Sequence, residues 1–209
     1  MECLSCLNDP AALLVADASV AINLNATGFA EPILEALPNR FAVVEDVAFE
    51  LEDGRQRGRT DADALEALVA AGRVDVVRLK NSAIEQFTAL VMGSAAETLD
   101  DGEAATIAYA LEHGATALVD ERKANRICAE RFPSLLTAST VDVFAHDTVE
   151  SALGRKGLAD AVFNALYYGR MRVLARHVDW VVNLIGPERA ARCASLPGSA
   201  RPAASSRVG

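Results

Sequence analysis

Histidine and cysteine are scarce in this chain. The three histidines, His113, His146 and His177, share no motif-like spacing. The four cysteines include one Cys-x-x-Cys, formed by Cys3 and Cys6, with Cys128 and Cys193 standing apart. One such pair is half a zinc site. No second pair and no His-x-x-x-His follows, so incidental reduced thiols are expected rather than a zinc module. The pattern also excludes a secreted disulfide framework and points to a reducing, cytoplasmic setting. No apolar run reaches the ~18 residues of a membrane-spanning helix. The first residues carry Glu2 and Asp9 instead of the basic stretch of a secretory signal, so no membrane association is expected. Aromatic residues make up only 5% of the chain. A Gly-x-x-x-x-Gly-Lys-Ser/Thr loop is also missing, which argues against nucleoside triphosphate hydrolysis.

The chain has 209 residues, 51% of them apolar and 23% charged. That is enough for one full globular core with an appendage. Alanine is abundant, which suits close packing of helices on a sheet. The net charge of −9 is by itself unfavourable for nucleic acid. A carboxylate cluster built for a metal ion, however, is negative until it is loaded.

Short apolar runs alternate with helical patterns. Strands are expected at 12–17 (ALLVAD), 41–44 (FAVV), 74–79 (VDVVRL), 115–120 (ATALVD) and 135–139 (LLTAS). Helices are expected after Asp17 up to Gly28, near 29–37, from Glu45 to Gly54, from Thr60 to Gly72, over 82–93, over 99–114 and from Glu121 to Phe132. Thr60 with Asp63 resembles a helix start, and Asp100 or Asp101 caps the clearest helix, LDDGEAATIAYALEHG. Strand–helix alternation implies an α/β fold with a mainly parallel five-stranded sheet between helices. The character changes after residue 146. Two more helices are expected over 147–186, and an Ala-, Ser-, Arg- and Pro-rich disordered tail over 195–209. The expected organisation is a domain over 1–146, a helical extension over 147–194, and the tail. Packing is the favoured role for the extension, with homodimerisation as the other; Tyr167, Tyr168 and Trp180 are its apolar anchors.

Acids gather where this topology puts a ligand site, beyond the carboxyl ends of the strands. Asp17 and Asp120 end strands, Glu121 follows, and Glu50 and Glu103 lie in helices that start from the same rim. Carboxylates without histidine or cysteine suit a hard divalent cation, which takes oxygen ligands. Each acid also has a structural reading. Asp17 and Asp120 or Glu121 could cap the helices that follow them. Glu50 stands among Glu45, Asp46, Glu52 and Asp53, a run that also reads as a solvated face. Asp100-x-x-Glu103 is a capping-box pattern, which would leave Asp101 as the alternative ligand. An Asp-x-Asp after the first strand, which a haloacid-type phosphatase needs, is replaced by Asp17-Ala18-Ser19.

The segments VADAS, VVEDVAFELE, LDDGEAATIAYALEHGATALVDERKANRICAE and TASTVDVFAHD, in this order and spacing, resemble the PIN-domain ribonucleases. The resemblance is closest to a bacterial and archaeal branch with a Gly-Glu pair, and it covers residues 12–146. It implies a PIN-like three-layer α/β/α sandwich and Mg²⁺- or Mn²⁺-dependent endoribonuclease activity on RNA. Many members are the toxin of a toxin–antitoxin pair, so an antitoxin protein is an implied partner. Position by position, Asp17, Glu50, Glu103 and Asp120 match the catalytic acids. Asp17, Glu103, Asp120 and Glu121 are the candidate metal ligands, with the choice between Asp120 and Glu121 open. Ser19 matches the hydroxyl residue that supports the first acid. Arg122 and Arg126 are candidate RNA contacts, although Arg126 and Glu130 also suit an i,i+4 pair. Arg55, Arg57 and Arg59 form a basic loop that could touch substrate. Glu in place of Asp at 103, and Val-Asp-Glu after the fourth strand, depart from the family pattern. They leave a catalytically weak or inactive PIN-like scaffold as the alternative.

Overall fold

The computed structural model describes residues 7–80 and 82–201. Cys3 and Cys6 lie outside the described residues, as does 202–209 of the expected tail.

Five parallel strands form one sheet in the order β3-β2-β1-β4-β5: β1 (Leu14–Ala16), β2 (Phe41–Val44), β3 (Asp75–Val77), β4 (Thr116–Leu118) and β5 (Thr137–Ala138). β1, β2 and β4 are buried throughout. Strands covered on both faces read as continuous apolar runs rather than alternating ones. Between β1 and β2 the connections are α1 (Ala18–Thr27) and α2 (Ala30–Ala36), and between β2 and β3 they are α3 (Glu45–Arg55) and α4 (Asp61–Ala70). α5 (Ser82–Val91) and α6 (Asp101–His113) lead to β4, and α7 (Arg122–Arg131) leads to β5. From β1 the chain builds outward through β2 to β3, then crosses back to lay β4 on the other side of β1. The point where the strand order reverses therefore lies between the ends of β1 and β4, where an open parallel sheet places its ligand crevice.

Gly28 and Gly114 close α1 and α6 in the left-handed conformation, which glycine adopts without the Cβ clash of other residues. Asp100 caps α6 by accepting the Glu103 N–H at 2.9 Å. Thr60 makes no side-chain cap on α4; the Asp61 carboxylate at that helix start is taken instead by Arg59. α6 is buried from Gly102 to Tyr109 and on to Ala110. Its alanines let it lie close on the sheet, and Thr106 Oγ1 reaches the Ala16 carbonyl at 3.4 Å.

The chain after β5 is more helical than the sequence pattern indicates. α8 (Thr140–Phe144) follows β5 directly, α9 (Asp147–Tyr167) packs on α1 and α2, and α10 (Val178–Ile185) and α11 (Pro187–Arg192) follow. α9 breaks at Gly154, whose backbone (φ 66°, ψ 159°) is not helical. Packing continues beyond residue 194. Leu196 is buried and Ser195 Oγ donates to the Leu166 carbonyl at 3.4 Å, so the expected start of the tail at 195 is too early. Trp180 packs against the core while Tyr168 stays exposed. No helix among the described residues is long and apolar enough to cross a membrane.

Candidate functional site

Asp17 leaves β1 and caps α1. Its Oδ1 accepts the Val20 N–H at 2.8 Å and the Ser19 hydroxyl at 2.9 Å, and Oδ2 lies 3.1 Å from the same hydroxyl. The capping role and a rim position thus coincide in one residue. Asp120 follows β4 and is held from two directions. Oδ1 accepts the Thr140 N–H at 2.8 Å, and Oδ2 accepts Asn23 Nδ2 at 2.7 Å and Thr140 Oγ1 at 2.6 Å. Both aspartates are almost fully buried, and so is Glu103 on the first turn of α6.

Burial sets the electrostatics. Desolvation and the neighbouring Asp120 charge hold the Asp17 carboxyl well above the usual carboxylate range, against the Val20 and Ser19 hydrogen bonds; the Glu103 charge adds to the rise. Burial also raises Asp120, which the Thr140 and Asn23 hydrogen bonds oppose and the Asp142 charge reinforces. Glu103 is pushed to about 7 by burial and by the Asp100 and Glu121 charges, with Lys123 opposing. Asp17 therefore feels the charges of Asp120 and Glu103, and Glu103 feels that of Glu121.

Glu50 lies apart from that group. It projects from α3 toward the start of α6, and burial with the Asp100 and Asp101 charges raises its pKa, opposed by Arg59. It lines a pocket of about 370 Å³ with Asp46, Phe49, Asp53, Asp100, Asp101 and Gly102. A Cβ on Gly102 would fall 2.7 Å from Glu50 Oε2. The glycine of the Gly-Glu pair is thus what lets the Glu50 carboxylate rest on α6. Glu121 is half-buried and ion-paired with Arg172.

Two cavities open on Asp120. One, of about 200 Å³, is also lined by Ser19, Asn23, Arg59, Glu121 and Arg172. The other, of about 320 Å³, is lined by Arg122, Arg170 and Arg172. Arg122 is therefore at the site. Arg126 is engaged elsewhere, with Glu130 Oε2 at 2.8 Å and the Ala96 carbonyl at 2.9 Å. Of the basic loop, Arg55 is held by Glu52, Asp63 and Glu66, and Arg59 alone lines the cavity at Asp120.

Sequence reasoning missed Asn23, Thr140 and the Asp142–His177 pair. Asp142 is buried and accepts from the Ser139 amide and hydroxyl, from Arg176 and from His177 Nε2 at 3.2 Å. Burial would raise its pKa, but the His177 and Ser139 hydrogen bonds and the His177 charge hold the carboxyl well below the usual range. The pair fastens the C-terminal helices to α8, whose first residue Thr140 holds Asp120. Asn23 left a readable signal: a polar residue three positions after Val20 and four before Thr27, on the buried face of α1.

A family model for the PIN domain matches residues 13–135. The chain belongs to the PIN-domain family. Among solved structures it is similar to the crystal structure of VapBC2 from Rickettsia felis bound to a DNA fragment from their promoter, at 15% identity and a TM-score of 0.45, over 61% of this chain and 98% of that chain. No curated protein matches the chain.

The donor chemistry fits Mg²⁺ or Mn²⁺. The donors are all carboxylate oxygens, and their mutual repulsion at a buried rim is what a divalent cation offsets. Asp17 Oδ2 and Asp120 Oδ1 each keep lone-pair capacity beyond the protein hydrogen bonds they accept. Among the described residues, no three of His, Cys, Asp and Glu gather closely enough to hold an ion. Mg²⁺ commonly takes only one or two carboxylates, with waters and substrate phosphates completing its shell.

Proposed function

We propose that this PIN-domain protein is a divalent-metal-dependent endoribonuclease in which Asp17 and Asp120 hold Mg²⁺ or Mn²⁺, with Glu103 and Glu121 beside them. The observation that carries this reading is the placement of two buried, hydrogen-bonded aspartates, Asp17 and Asp120, at the switch point between β1 and β4, with buried Glu103 on the first turn of α6. Buried acids kept near one another at a cost to their ionisation are a mark of a working site. A bound divalent cation would supply water activation and charge neutralisation at phosphorus.

The chain's own residues prepare that site. Ser19 and the Val20 amide fix the Asp17 carboxylate, and Thr140 and Asn23 fix Asp120. Glu103, with its pKa near 7, can take up or release a proton at neutral pH. Arg122 faces the cavity at Asp120 and offers a fork of donors to a backbone phosphate. Glu50, over Gly102, shapes the acidic pocket next to the site. The resemblance to toxin members makes an antitoxin protein the partner this reading implies.

The test is cleavage of a labelled single-stranded RNA with Mg²⁺ or Mn²⁺ and with EDTA. The reading requires cation-dependent cleavage that Asp17→Asn and Asp120→Asn abolish in folded protein. Equal cleavage in EDTA would refute it.

A second reading is a PIN-like scaffold that binds no metal. One observation favours it: the missing three-ligand cluster among the described residues. It predicts no divalent-cation binding at the rim.

A further inference from the structure

The matched family region ends at residue 135, yet residues from the C-terminal extension line both cavities at Asp120. After α9 the chain turns sharply. The Tyr168 N–H donates to the Asn164 carbonyl at 2.8 Å and the Met171 N–H to the Ala165 carbonyl at 3.0 Å. Gly169 is pressed between α9 and α1. A Cβ there would lie 2.7 Å from the Ala165 carbonyl and 2.9 Å from Asn23 Oδ1. The segment thus rests on the same asparagine that holds Asp120.

From Arg170 to Val173 the side chains alternate. Met171 and Val173 are buried, while Arg170 and Arg172 are exposed. Arg170 has φ 56°, and it is the one non-glycine residue with positive φ among those described. That conformation is unfavourable for a long side chain and persists where the surroundings impose it. Arg170 lines both cavities. Arg172 is held in place by its ion pair with Glu121. Glu121 accounts for Arg172, but not for the backbone of Arg170 or for the approach of Arg122. Three arginines thus line one cavity with a single acid, Asp120, and of the three Arg172 is also paired with Glu121.

We propose that Arg170 and Arg172 of the C-terminal extension, together with Arg122, form an anion subsite that takes a backbone phosphate of single-stranded RNA beside Asp120. The proposal rests on the nuclease reading for the identity of the anion. Guanidinium forks match phosphate oxygens in bidentate geometry. Such contacts fix the register of the strand without reading its sequence. The extension is then part of the substrate site as well as a cover for α1 and α2.

The experiment is fluorescence anisotropy of a labelled single-stranded oligoribonucleotide with the full chain. The parent carries Asp17→Asn so that nothing is cleaved, and ionic strength is varied. Arg170→Gln with Arg172→Gln weakens binding roughly tenfold or more and lowers the salt slope by about 0.7, the value for the one phosphate the subsite takes. A charge-matched control, Arg40→Gln with Arg155→Gln, leaves binding unchanged; Arg40 precedes β2, at the opposite end of the sheet. Arg170→Gly separates folding from function, because it relieves the positive φ, keeps or raises the melting temperature, and still loses affinity. Parental affinity in the Arg170/Arg172 variant, equal loss in the control, or no binding by the parent overturns the subsite. The two readings fail separately. Normal RNA binding by the arginine variants with cation-dependent cleavage by wild type removes the subsite alone. Arginine-dependent binding with no cleavage by wild type removes the nuclease reading and keeps the anion site.

Discussion

Asn23 Nδ2 donates to Asp120 Oδ2 at 2.7 Å, a hydrogen bond between residues 97 positions apart. It joins the helix after β1 to the acid after β4, across the point where the strand order reverses. Thr140 approaches the same carboxylate from the start of α8. Asp120 is therefore aimed by two elements, neither of which contains it. Removing either partner should disturb the site more than the fold.

Thr140→Val tests that arrangement. It removes the hydroxyl donor at 2.6 Å but leaves the backbone N–H. Losing a donor to the ionised carboxylate raises the Asp120 pKa further. The expected result is a 10–100-fold loss in cation affinity or cleavage rate, the usual size for a residue that orients a ligand. The pH profile of cleavage should also move upward. Metal titration and rate measurements at several pH values check this, and an unchanged profile with full activity would remove Thr140 from the site.

Glu103 predicts how stability depends on pH. Its pKa rises from 4.5 to about 7 in the folded state. Between those values the folded chain holds a proton that the unfolded chain has released. This contribution is fully present below about pH 4.5 and is lost as pH rises through about 7. Asp17 and Asp120 shift in the same direction. Glu103→Gln should therefore stabilise the protein at pH 8, by on the order of 2 kcal/mol, and have little effect at pH 4. Chemical denaturation at the two pH values measures the difference, and equal effects at both would contradict the assigned cause.

Asp142 acts in the opposite sense. Its folded pKa lies below the usual 3.8, so its contribution is present above 3.8 and is lost as pH falls further. Asp142→Ala removes the acceptor shared by Ser139, Arg176 and His177. Leaving the buried Ser139 and His177 donors without it should cost about 3 kcal/mol at pH 7. Urea denaturation at pH 7 provides the measurement, and a loss below about 0.5 kcal/mol would show that the pair does not hold the C-terminal helices.

Gly102→Ala isolates Glu50. The new Cβ would fall 2.7 Å from Glu50 Oε2, and that carboxylate can swing away at the end of its side chain. Alanine is favoured over glycine inside a helix by up to about 1 kcal/mol, so the melting temperature should hold or rise. If Glu50 serves the reaction, the cleavage rate falls in this well-folded variant. An unchanged rate assigns Glu50 to the solvated face that its acidic neighbours suggest.

Much of this architecture was legible in the sequence, and the limits have physical causes. β2 is a four-residue apolar run whose bounds match the expected strand. Asp17 and Asp120 stand at the ends of such runs, so the topology alone carried them to one rim. Glu103, singled out through the Gly-Glu pair, lies on the first turn of α6. Of the supports, Asn23 shows in the sequence only as a polar residue on the buried face of α1; that it and Thr140 reach Asp120 is set by tertiary packing and not by local spacing. The Asp142–His177 contact spans 35 positions and depends on the path of the C-terminal helices. Arg126 was placed on the correct helix, but its choice of Glu130 and the Ala96 carbonyl over the site is decided by the loop before α6. Glu50 reads as a site acid from the resemblance, but in the fold it faces Gly102 rather than Asp17 and Asp120.

The most direct test of the central claim is calorimetric titration of the purified chain with Mn²⁺ at pH 8, compared with Asp17→Asn plus Asp120→Asn. The account predicts saturable binding to the wild type and no binding to the folded double variant. Absence of binding to wild type, or equal binding to both, would contradict a metal site at the ends of β1 and β4.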